Sequence, residues 1–352
     1  MRLEPVRVRA ASAVGQPGPR LVGLGPLDAL LADAAVSEVM VNGAGAVWVE
    51  RTGSLEETDV VLDVATIDHV LERIVAPLGL RVDRTSPLID ARLPDGSRVN
   101  AVVPPIAIDG PCLTIRRFGA RPVPLDELCP PGIAELLSWA VRARANIIVS
   151  GGTGAGKTTL LNALAARIPD GERIVTVEDA AELRLPARHV VRLEARPANA
   201  DGLGAVTLRA LVRNALRMRP DRIIVGESRG PEALDVLQAM NTGHEGSLST
   251  CHANSPPDAL RRLETMVLMG DVALPLAAVR DQLGAAVDLV VHVARSAAGG
   301  RRVVALAEVA AEWAGVGERV RSLGDADGLH RLPVRAVRMP GAARPDPAWL
   351  AR

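Results

Sequence analysis

A glycine-rich segment that ends in lysine lies between an apolar run and a helical pattern. It reads Gly151-Gly-Thr-Gly-Ala-Gly-Lys157-Thr158, and Ile147-Ile-Val comes just before it. Glycines let backbone N–H groups turn inward towards phosphate oxygens, and the start of the following helix adds a partial positive charge. This G-x-x-x-x-G-K-[ST] pattern between a strand and a helix predicts a phosphate-binding loop in an α/β domain.

Lys157 is the only lysine of the chain, which has forty arginines. An ammonium is a compact point charge that can reach the β and γ phosphates of ATP, whereas a guanidinium is a broad planar fork. The single lysine therefore favours a functional loop over a chance glycine-rich turn. Thr158 is expected to offer its hydroxyl to Mg²⁺. The residues predicted to hold ATP are Gly151, Gly152, Thr153, Gly154, Ala155, Gly156, Lys157, Thr158 and Thr159.

The first third of the chain predicts a leader, a small domain and a linker. Residues 1–25 are rich in Pro, Gly and Arg without a sustained period, which predicts a mobile leader. Residues 26–118 predict a compact α+β domain, in which the dipeptide Asp95-Gly96 indicates a hairpin turn. Four prolines and two glycines in residues 119–132 predict an interdomain linker.

Residues 133–312 alternate between strand-like and helix-like segments, and residues 313–352 are expected to form an irregular tail. Alternation of this kind implies a parallel sheet flanked by helices. Short apolar runs fit strands that are covered on both faces. The predicted strands are Asn146–Ser150, Arg173–Glu178, Arg222–Gly226 and Ser247–Cys251, and helical patterns begin at Lys157 and cover Thr207–Met218 and Pro231–Met240.

Composition argues against several classes of protein. Every apolar run is broken before the roughly 18 residues that a membrane-spanning helix needs, and the first residues lack the apolar core of a secretory signal. We therefore expect a cytoplasmic protein. Cys112, Cys129 and Cys251 lack the spacing of a zinc site or disulfide framework. The 41 basic and 41 acidic residues and the scarcity of aromatic residues argue against nucleic-acid binding.

Carboxylates follow two of the predicted strands. Glu178 and Asp179 follow Ile174-Val-Thr-Val, and Glu227 follows Ile223-Ile-Val-Gly. Ligands bind at the carboxyl ends of parallel strands, so these acids are expected beside the phosphate loop. One can support Mg²⁺ and another can position water. A GTPase is disfavoured because its N-K-x-D motif needs a second lysine, and the L-S-G-G-Q signature of transporter ATPases is absent.

Together these motifs resemble the secretion and pilus-assembly ATPases of type II and type IV systems, most closely the tight-adherence (Flp/Tad) pilus branch. The resemblance covers about residues 27–309. It implies a RecA-like P-loop NTPase domain with a parallel-sheet core, preceded by a smaller α+β domain, that hydrolyses ATP with Mg²⁺. The segments that carry it are the phosphate loop, Asp90–Ala101, Val175–Leu183, Leu216–Glu227 and Thr242–Ser255.

The resemblance also implies roles for single residues. Glu178 would activate the attacking water, and Glu227 would support Mg²⁺ together with Thr158, directly or through water. His244 and His252 match the histidine box of the family, and His244 is expected to bind nucleotide. Four arginines of the N-terminal domain resemble those that the family presents to nucleotide: Arg92, Arg98, Arg116 and Arg117. The residues predicted to be catalytic are Lys157, Glu178, Glu227, His252, Arg98 and Arg116.

The assembly that the resemblance implies is a homo-oligomer, a hexameric ring beneath inner-membrane platform proteins, with peripheral membrane contact only. Such a ring would power Flp-type pilus assembly or type II/IV secretion across the cell envelope. Two alternatives stay open: an ATP-binding regulator or scaffold without turnover, and a RecA-like motor that moves DNA. The chain departs from the family in carrying Ser228 at a usually apolar position and in lacking the four-cysteine zinc module of some type II and pilus-extension relatives.

Overall fold

A computed structural model describes residues 23–51, 53–93, 95–117, 123–196, 203–295, 300–311, 319–335 and 338–351. The chain forms two compact units, residues 1–120 and residues 121–352, called here the N-terminal and C-terminal units. Most of the predicted leader, and residues 119–122 of the predicted linker, lie outside the described residues. No helix in the described ranges is long and apolar enough to cross a membrane.

The N-terminal unit is built on a six-stranded antiparallel sheet in the order β3-β2-β1-β6-β5-β4. Alternate strand residues such as Val39, Val99 and Ile115 are buried in one cluster with the apolar side of helix α2. The side chain of Asp63 caps this helix by accepting from the Thr66 N–H at 2.8 Å. The elements are α1 Leu27–Ala32, β1 Val36–Asn42, β2 Gly45–Arg51, β3 Ser54–Leu62, α2 Val64–Val75, a 3₁₀ turn Ala76–Leu78, β4 Leu88–Arg92, β5 Arg98–Val102 and β6 Cys112–Arg116.

The hairpin predicted at Asp95-Gly96 joins β4 to β5 in register from Leu88↔Val102 to Arg92↔Arg98. Gly96 has φ +91°, in the left-handed region that glycine tolerates. The Asp95 carboxylate accepts from the Ser97 N–H at 2.9 Å, which closes the turn.

The C-terminal unit contains an eight-stranded sheet in the order β14-β13-β12-β7-β11-β10-β8-β9. The six strands from β12 to β9 run parallel, whereas β13 and β14 continue the sheet antiparallel. The elements are α3 Leu125–Leu128, α4 Pro131–Arg142, β7 Ile147–Gly151, α5 Lys157–Ala165, β8 Ile174–Glu178, β9 Val190–Glu194, α6 Leu208–Ala215, β10 Arg222–Val225, α7 Glu232–Asn241, β11 Leu248–His252, α8 Pro256–Leu268, α9 Leu276–Ala286, β12 Leu289–Arg295, β13 Arg301–Val309, β14 Val320–Asp325 and a 3₁₀ turn Pro347–Ala351.

Apolar layers cover both faces of the central strands, as the apolar runs of the sequence predict. Ile147 and Val149 of β7 pack into a cluster with α4 and α5, whereas Ile148 packs into a second cluster with α7, α8 and α9. Burial on both faces explains why β7 has no polar alternation. The α/β fold class is therefore confirmed, with a mostly parallel sheet in this unit.

Two segments differ from the sequence-based expectation. Residues 125–128, inside the predicted linker, form α3, and Pro131 begins α4, because proline is well tolerated in the first turn of a helix. The predicted irregular tail contains β14, which pairs with β13 over Val309↔Val320. A strand of six residues with a glycine has little propensity of its own, so its formation depends on the edge that β13 offers.

Candidate nucleotide site

The predicted site residues converge at the carboxyl edge of the C-terminal sheet. The phosphate loop leaves β7, Glu178 ends β8, and His252 ends β11. Glu227 follows β10 by two residues. Because these strands are parallel neighbours, their last residues meet at one edge. The topology thus brings together residues that lie up to about a hundred positions apart in the chain.

The phosphate loop depends on its glycines. Gly154 and Gly156 have φ +67° and +103°, and the side chains of other residues would strain the backbone there. A Cβ on Gly151 would lie 2.5 Å from the Val293 carbonyl oxygen, so β12 could not pack as closely against the loop. Positive φ angles and the close approach of β12 therefore explain why glycine stands at these positions of the loop.

Lys157 lies at the first turn of α5 with its ammonium held inside the loop. Its Nζ donates to the carbonyl oxygens of Gly151 and Gly152, each at 3.1 Å, and lies 3.3 Å from His252 Nδ1. Burial lowers the pKa of Lys157, and the negative charge of Glu227 opposes that shift. The carbonyl groups of the loop therefore hold one compact cation where phosphates are expected to bind.

A hydrogen-bonded chain links Glu227 to the loop through His252. The Nδ1 of His252 is 2.9 Å from Glu227 Oε1, and its Nε2 is 2.9 Å from Thr153 Oγ1. Because a carboxylate can only accept, Nδ1 donates to Glu227, and the contact between Nε2 and the Thr153 hydroxyl completes the link to the loop. The second oxygen of Glu227 accepts from Arg229 at 2.8 Å.

Glu227 stays ionised in this arrangement. Burial alone would raise its pKa, but hydrogen bonds from Arg229 and His252 and the positive charges of Arg229 and Lys157 outweigh burial and lower it. An ionised carboxylate tied to the loop suits the support of a cation beside phosphates.

The pKa of Glu178 is shifted in the direction opposite to that of Glu227. Burial raises its pKa to about 7, although the N–H groups of Leu183 and Glu182 and the charge of Arg192 pull in the other direction. Its Oε2 accepts from those two N–H groups at 2.9 and 2.7 Å. Its Oε1 is buried and has no hydrogen-bond partner among the described residues. A carboxyl group with one orphaned oxygen and a near-neutral pKa suits a general base that binds water.

Gly226, which directly precedes Glu227, allows the side chain of Glu178 to approach the backbone closely. A Cβ at this position would lie 2.9 Å from Cγ of Glu178. The two carboxylates can therefore end neighbouring strands only because β10 carries no side chain at this point. A strand-interior glycine of this kind marks a close approach.

Thr158 is paired with an acid that the sequence analysis did not single out. Its Oγ1 lies 3.4 Å from Glu182 Oε2, four residues beyond Glu178 in the same acidic segment. Hydroxyl and carboxylate oxygens are the hard donors that Mg²⁺ prefers, usually completed by substrate phosphates and water. Within the described ranges no group of three or more His, Cys, Asp and Glu side chains could hold a metal ion. The Thr158 hydroxyl and the Glu182 carboxylate are oxygen donors of the kind that a Mg²⁺ ion with a phosphate ligand uses.

The structure places His244 away from the phosphate loop of its own chain, so its predicted contact with nucleotide stays a prediction. This residue precedes β11, whereas His252 ends it, so the two histidines lie at opposite edges of the sheet. Its neighbour Gly246 donates to Asn146 Oδ1 at 2.8 Å, just before β7 begins. A five-residue strand spans about 16 Å, which keeps His244 from the phosphate loop of its own chain. The two histidines are therefore close in sequence, but β11 separates them in space.

The predicted arginines of the N-terminal unit form a row. Arg98 is paired with Arg92 on one side and with Arg116 on the other, so the three side chains leave the same face of the sheet. Glu38 of β1 lies opposite Arg116, so a carboxylate of the same sheet offsets part of the repulsion between like charges placed directly opposite one another. Arg117 instead donates to the carbonyl oxygens of Asp33 and Val36 and braces the start of β1.

Comparison with known proteins places this site in a family. Residues 20–320 match the family described as type II/IV secretion system protein. A Mycobacterium tuberculosis protein whose name assigns it provisionally to conjugal transfer is 43% identical over 302 residues, 82% of this chain and 84% of that protein. Type IV secretion system protein PtlH of Bordetella pertussis is 40% identical over 76% of this chain and 89% of its own. Conjugal transfer protein TrbB of Rhizobium radiobacter is 38% identical over 77% of this chain and 83% of its own.

Solved structures share the fold at lower identity. The pilus retraction motor PilT with bound ADP superposes with a TM-score of 0.60 at 21% identity, over 80% of each chain. The Legionella pneumophila ATPase DotB gives a TM-score of 0.59 at 20% identity, over 81% of this chain and 80% of that one. With most of its length matched and its phosphate loop, acidic segment and Glu227 assembled at one sheet edge, the chain belongs to the type II/IV secretion ATPase family.

Proposed function

We propose that this ATPase is the cytoplasmic ring motor that powers transport or pilus assembly by a type II/IV machine of the cell envelope. The observation that carries the proposal is the buried Glu178 Oε1, which has no partner among the described residues. A protein that only binds ATP does not need an orphaned carboxylate oxygen at the sheet edge that carries its phosphate loop. This argues against the regulator or scaffold without turnover.

The residues of the site divide the chemistry of hydrolysis among them. Lys157 would bind the β and γ phosphates in place of the carbonyl oxygens that now hold it. Glu178 would orient the attacking water through Oε1 and accept its proton. Thr158 and Glu227, with Glu182 close by, would hold Mg²⁺, which neutralises phosphate charge when bound. His252 keeps Glu227 and Thr153 in fixed relation.

The row of arginines suggests how hydrolysis produces movement. We propose that Arg98 and Arg116 act on a bound nucleotide and stabilise charge on the transferred phosphoryl group. Loss and recovery of such a contact with each ATP would drive hinge-like closure. A hexamer of this kind would work beneath inner-membrane platform proteins, with the membrane touched only through partners.

Arg98→Ala is expected to reduce steady-state ATP turnover by about 10³-fold while ATP affinity changes little, because the arginine acts on the transition state. The measurement is ATP hydrolysis together with equilibrium nucleotide binding. Arg81→Ala is the matched control, since Arg81 is an exposed arginine of the same unit that pairs with Asp83. Unchanged turnover in Arg98→Ala would reduce Arg98 to a surface residue.

This proposal has two versions, which differ in what the machine assembles or transports. The resemblance drawn from the sequence motifs as a set favours a tight-adherence pilus, whereas the names of the relatives favour conjugal transfer or type IV secretion. The test is a host strain in which the chromosomal copy carries Lys157→Ala, assayed for surface pili and for transfer of a mobilisable plasmid. Loss of pili alone supports the first version, and loss of plasmid transfer alone supports the second. Retention of both would contradict the motor role.

The alternative of a DNA-moving motor is tested by adding DNA to the purified protein in the ATP hydrolysis assay. Because the chain has 41 basic and 41 acidic residues, we expect duplex DNA to leave the ATPase rate unchanged at low salt. A strong stimulation that disappears as salt is raised would favour the DNA motor instead.

A further inference from the structure

The hairpin formed by β12 and β13 reaches the phosphate loop from the side opposite β11. Arg295, the last residue of β12, donates its Nε–H to the Gly154 carbonyl oxygen at 2.9 Å. Arg301, the first residue of β13, donates from a terminal nitrogen to Thr159 Oγ1 at 3.1 Å. Two guanidinium groups from one hairpin therefore contact the loop at two separate points.

The stem of Arg301 is packed into the loop itself. A Cβ on Gly156 would lie 2.7 Å from Cδ of Arg301 and 3.2 Å from its Cβ and Cγ. Only glycine leaves room for this stem, so Gly156 serves the hairpin as well as the turn. The packing of the stem fixes the guanidinium beside Thr159, on the first turn of α5.

The position of Thr159 indicates which part of a nucleotide would be near. Lys157 Nζ lies between the carbonyl groups of Gly151 and Gly152, which marks the β/γ end of the site. Thr159 lies one residue beyond the Mg²⁺-binding threonine, at the helix start whose N–H groups cradle the α and β phosphates. A cation at Thr159 is therefore at the α-phosphate side.

We propose that Arg301 contacts the α-phosphate of bound nucleotide, and that Arg295 braces the loop for it by holding the Gly154 carbonyl outward. The inference rests on the proposed ATPase function and adds a nucleotide contact from an element that carries none of the motifs described above. A guanidinium presents several N–H groups in a rigid plane, so one group can bond to Thr159 Oγ1 while another faces an anionic oxygen. Charge-assisted contacts of this kind are among the stronger hydrogen bonds.

The test uses the two diastereomers of adenosine 5′-(α-thio)triphosphate, in which sulfur replaces one or the other non-bridging α oxygen. Sulfur is the weaker hydrogen-bond acceptor, so a side chain that contacts one α oxygen contributes to the ratio of the two affinities. Arg301→Gln keeps the Cβ, Cγ and Cδ atoms that pack against Gly156 but removes the charge. We expect it to weaken ATP binding about tenfold and to change the diastereomer ratio by about fivefold.

Arg302→Gln is the matched control. Arg302 is the next residue of β13, points to the other face, and donates to the Ala326 carbonyl oxygen at 2.8 Å. This variant is expected to keep both the affinity and the ratio of the wild type. If Arg301→Gln fails to fold, as judged by thermal unfolding, Arg301→Lys serves in its place, because it keeps the charge but loses the fork and should also shift the ratio.

The outcomes separate this inference from the proposed function. If wild type binds ATP and Arg301→Gln loses affinity with an unchanged diastereomer ratio, Arg301 only braces the loop and the α-phosphate contact is wrong. The α-phosphate contact is also wrong if neither the affinity nor the ratio changes. If wild type itself fails to bind ATP in the same titration, the ATPase function fails instead.

Discussion

Glu178→Gln is expected to reduce ATP turnover by about 10²- to 10⁴-fold while ATP binding is preserved. Glutamine keeps the size of the side chain, and its carbonyl oxygen can still accept from the N–H groups of Glu182 and Leu183. It cannot accept a proton from water at the position of Oε1, which has no partner among the described residues. The measurement is single-turnover hydrolysis at saturating ATP, with equilibrium binding measured in parallel.

The matched control for this variant is Glu194→Gln. Glu194 ends β9, directly beside Glu178 at the end of β8, but its side chain is exposed. It should hydrolyse ATP at the wild-type rate. If Glu178→Gln also hydrolyses ATP at that rate, the general base lies elsewhere. If both variants lose activity equally, the loss comes from a disturbed structure at the ends of β8 and β9 and not from a missing proton acceptor.

The pH dependence of turnover follows from the same carboxyl group. Because burial raises the pKa of Glu178 to about 7, the basic form is lost as pH falls below 7, and kcat should drop about tenfold per pH unit there. Folding stability should show the opposite trend. A folded-state pKa above the ordinary value of 4.5 means that the stability which the protonated carboxyl contributes is complete below pH 4.5. It is lost as pH rises through about 7.

Comparison with Glu178→Gln isolates this group. The variant should lack the part of the stability decline that wild type shows between about pH 4.5 and 7, measured by chemical denaturation at several pH values. Parallel curves for the two proteins would show that the pKa of Glu178 is not raised in the folded state.

Lys157→Ala is expected to abolish detectable ATP hydrolysis and to weaken ATP binding by about 10²-fold or more, because hydrogen bonds to charged groups contribute about 1.5–3 kcal/mol each. Lys157 is buried and its ammonium meets two carbonyl oxygens and His252. Its removal leaves the β and γ phosphates without their point charge. Equilibrium binding of ATP by calorimetry measures the effect.

Lys157→Arg sharpens this prediction, because it keeps the charge and follows the preference of a chain with forty arginines. A planar guanidinium does not fit between the Gly151 and Gly152 carbonyl groups, so we expect turnover to be lost as in Lys157→Ala. Full activity of Lys157→Arg would mean that positive charge alone is required, and that the single lysine carries no special meaning.

Sequence reasoning succeeded where parallel strands do the positioning. Glu178, Glu227 and His252 were expected together, and they meet because each ends or follows a strand of the same parallel sheet. It did not foresee the position of His244, since a histidine motif does not reveal that a strand separates its two members. It also assigned a linker to residues 125–128 and an irregular tail around Val320, because proline content and weak strand propensity do not show which tertiary edge is available.

Contacts between distant segments were beyond the reach of sequence patterns. Arg301 is 142 residues from Thr159, and nothing in a chain of forty arginines distinguishes it. Glu182 had a weak signal in the acidic segment, but its pairing with Thr158 of α5 appears only in the folded chain. The orphaned oxygen of Glu178 is likewise a property of packing and not of sequence.

As an ATP-hydrolysing motor, the purified chain should release phosphate in the steady state. The measurement compares its rate with those of Lys157→Ala and Glu227→Gln. Glu227→Gln removes the charge that His252 and Arg229 hold at the loop while keeping its shape. We expect turnover by the wild type and a loss of at least about 10²-fold in both variants. Equal rates in all three proteins would rule out the motor role.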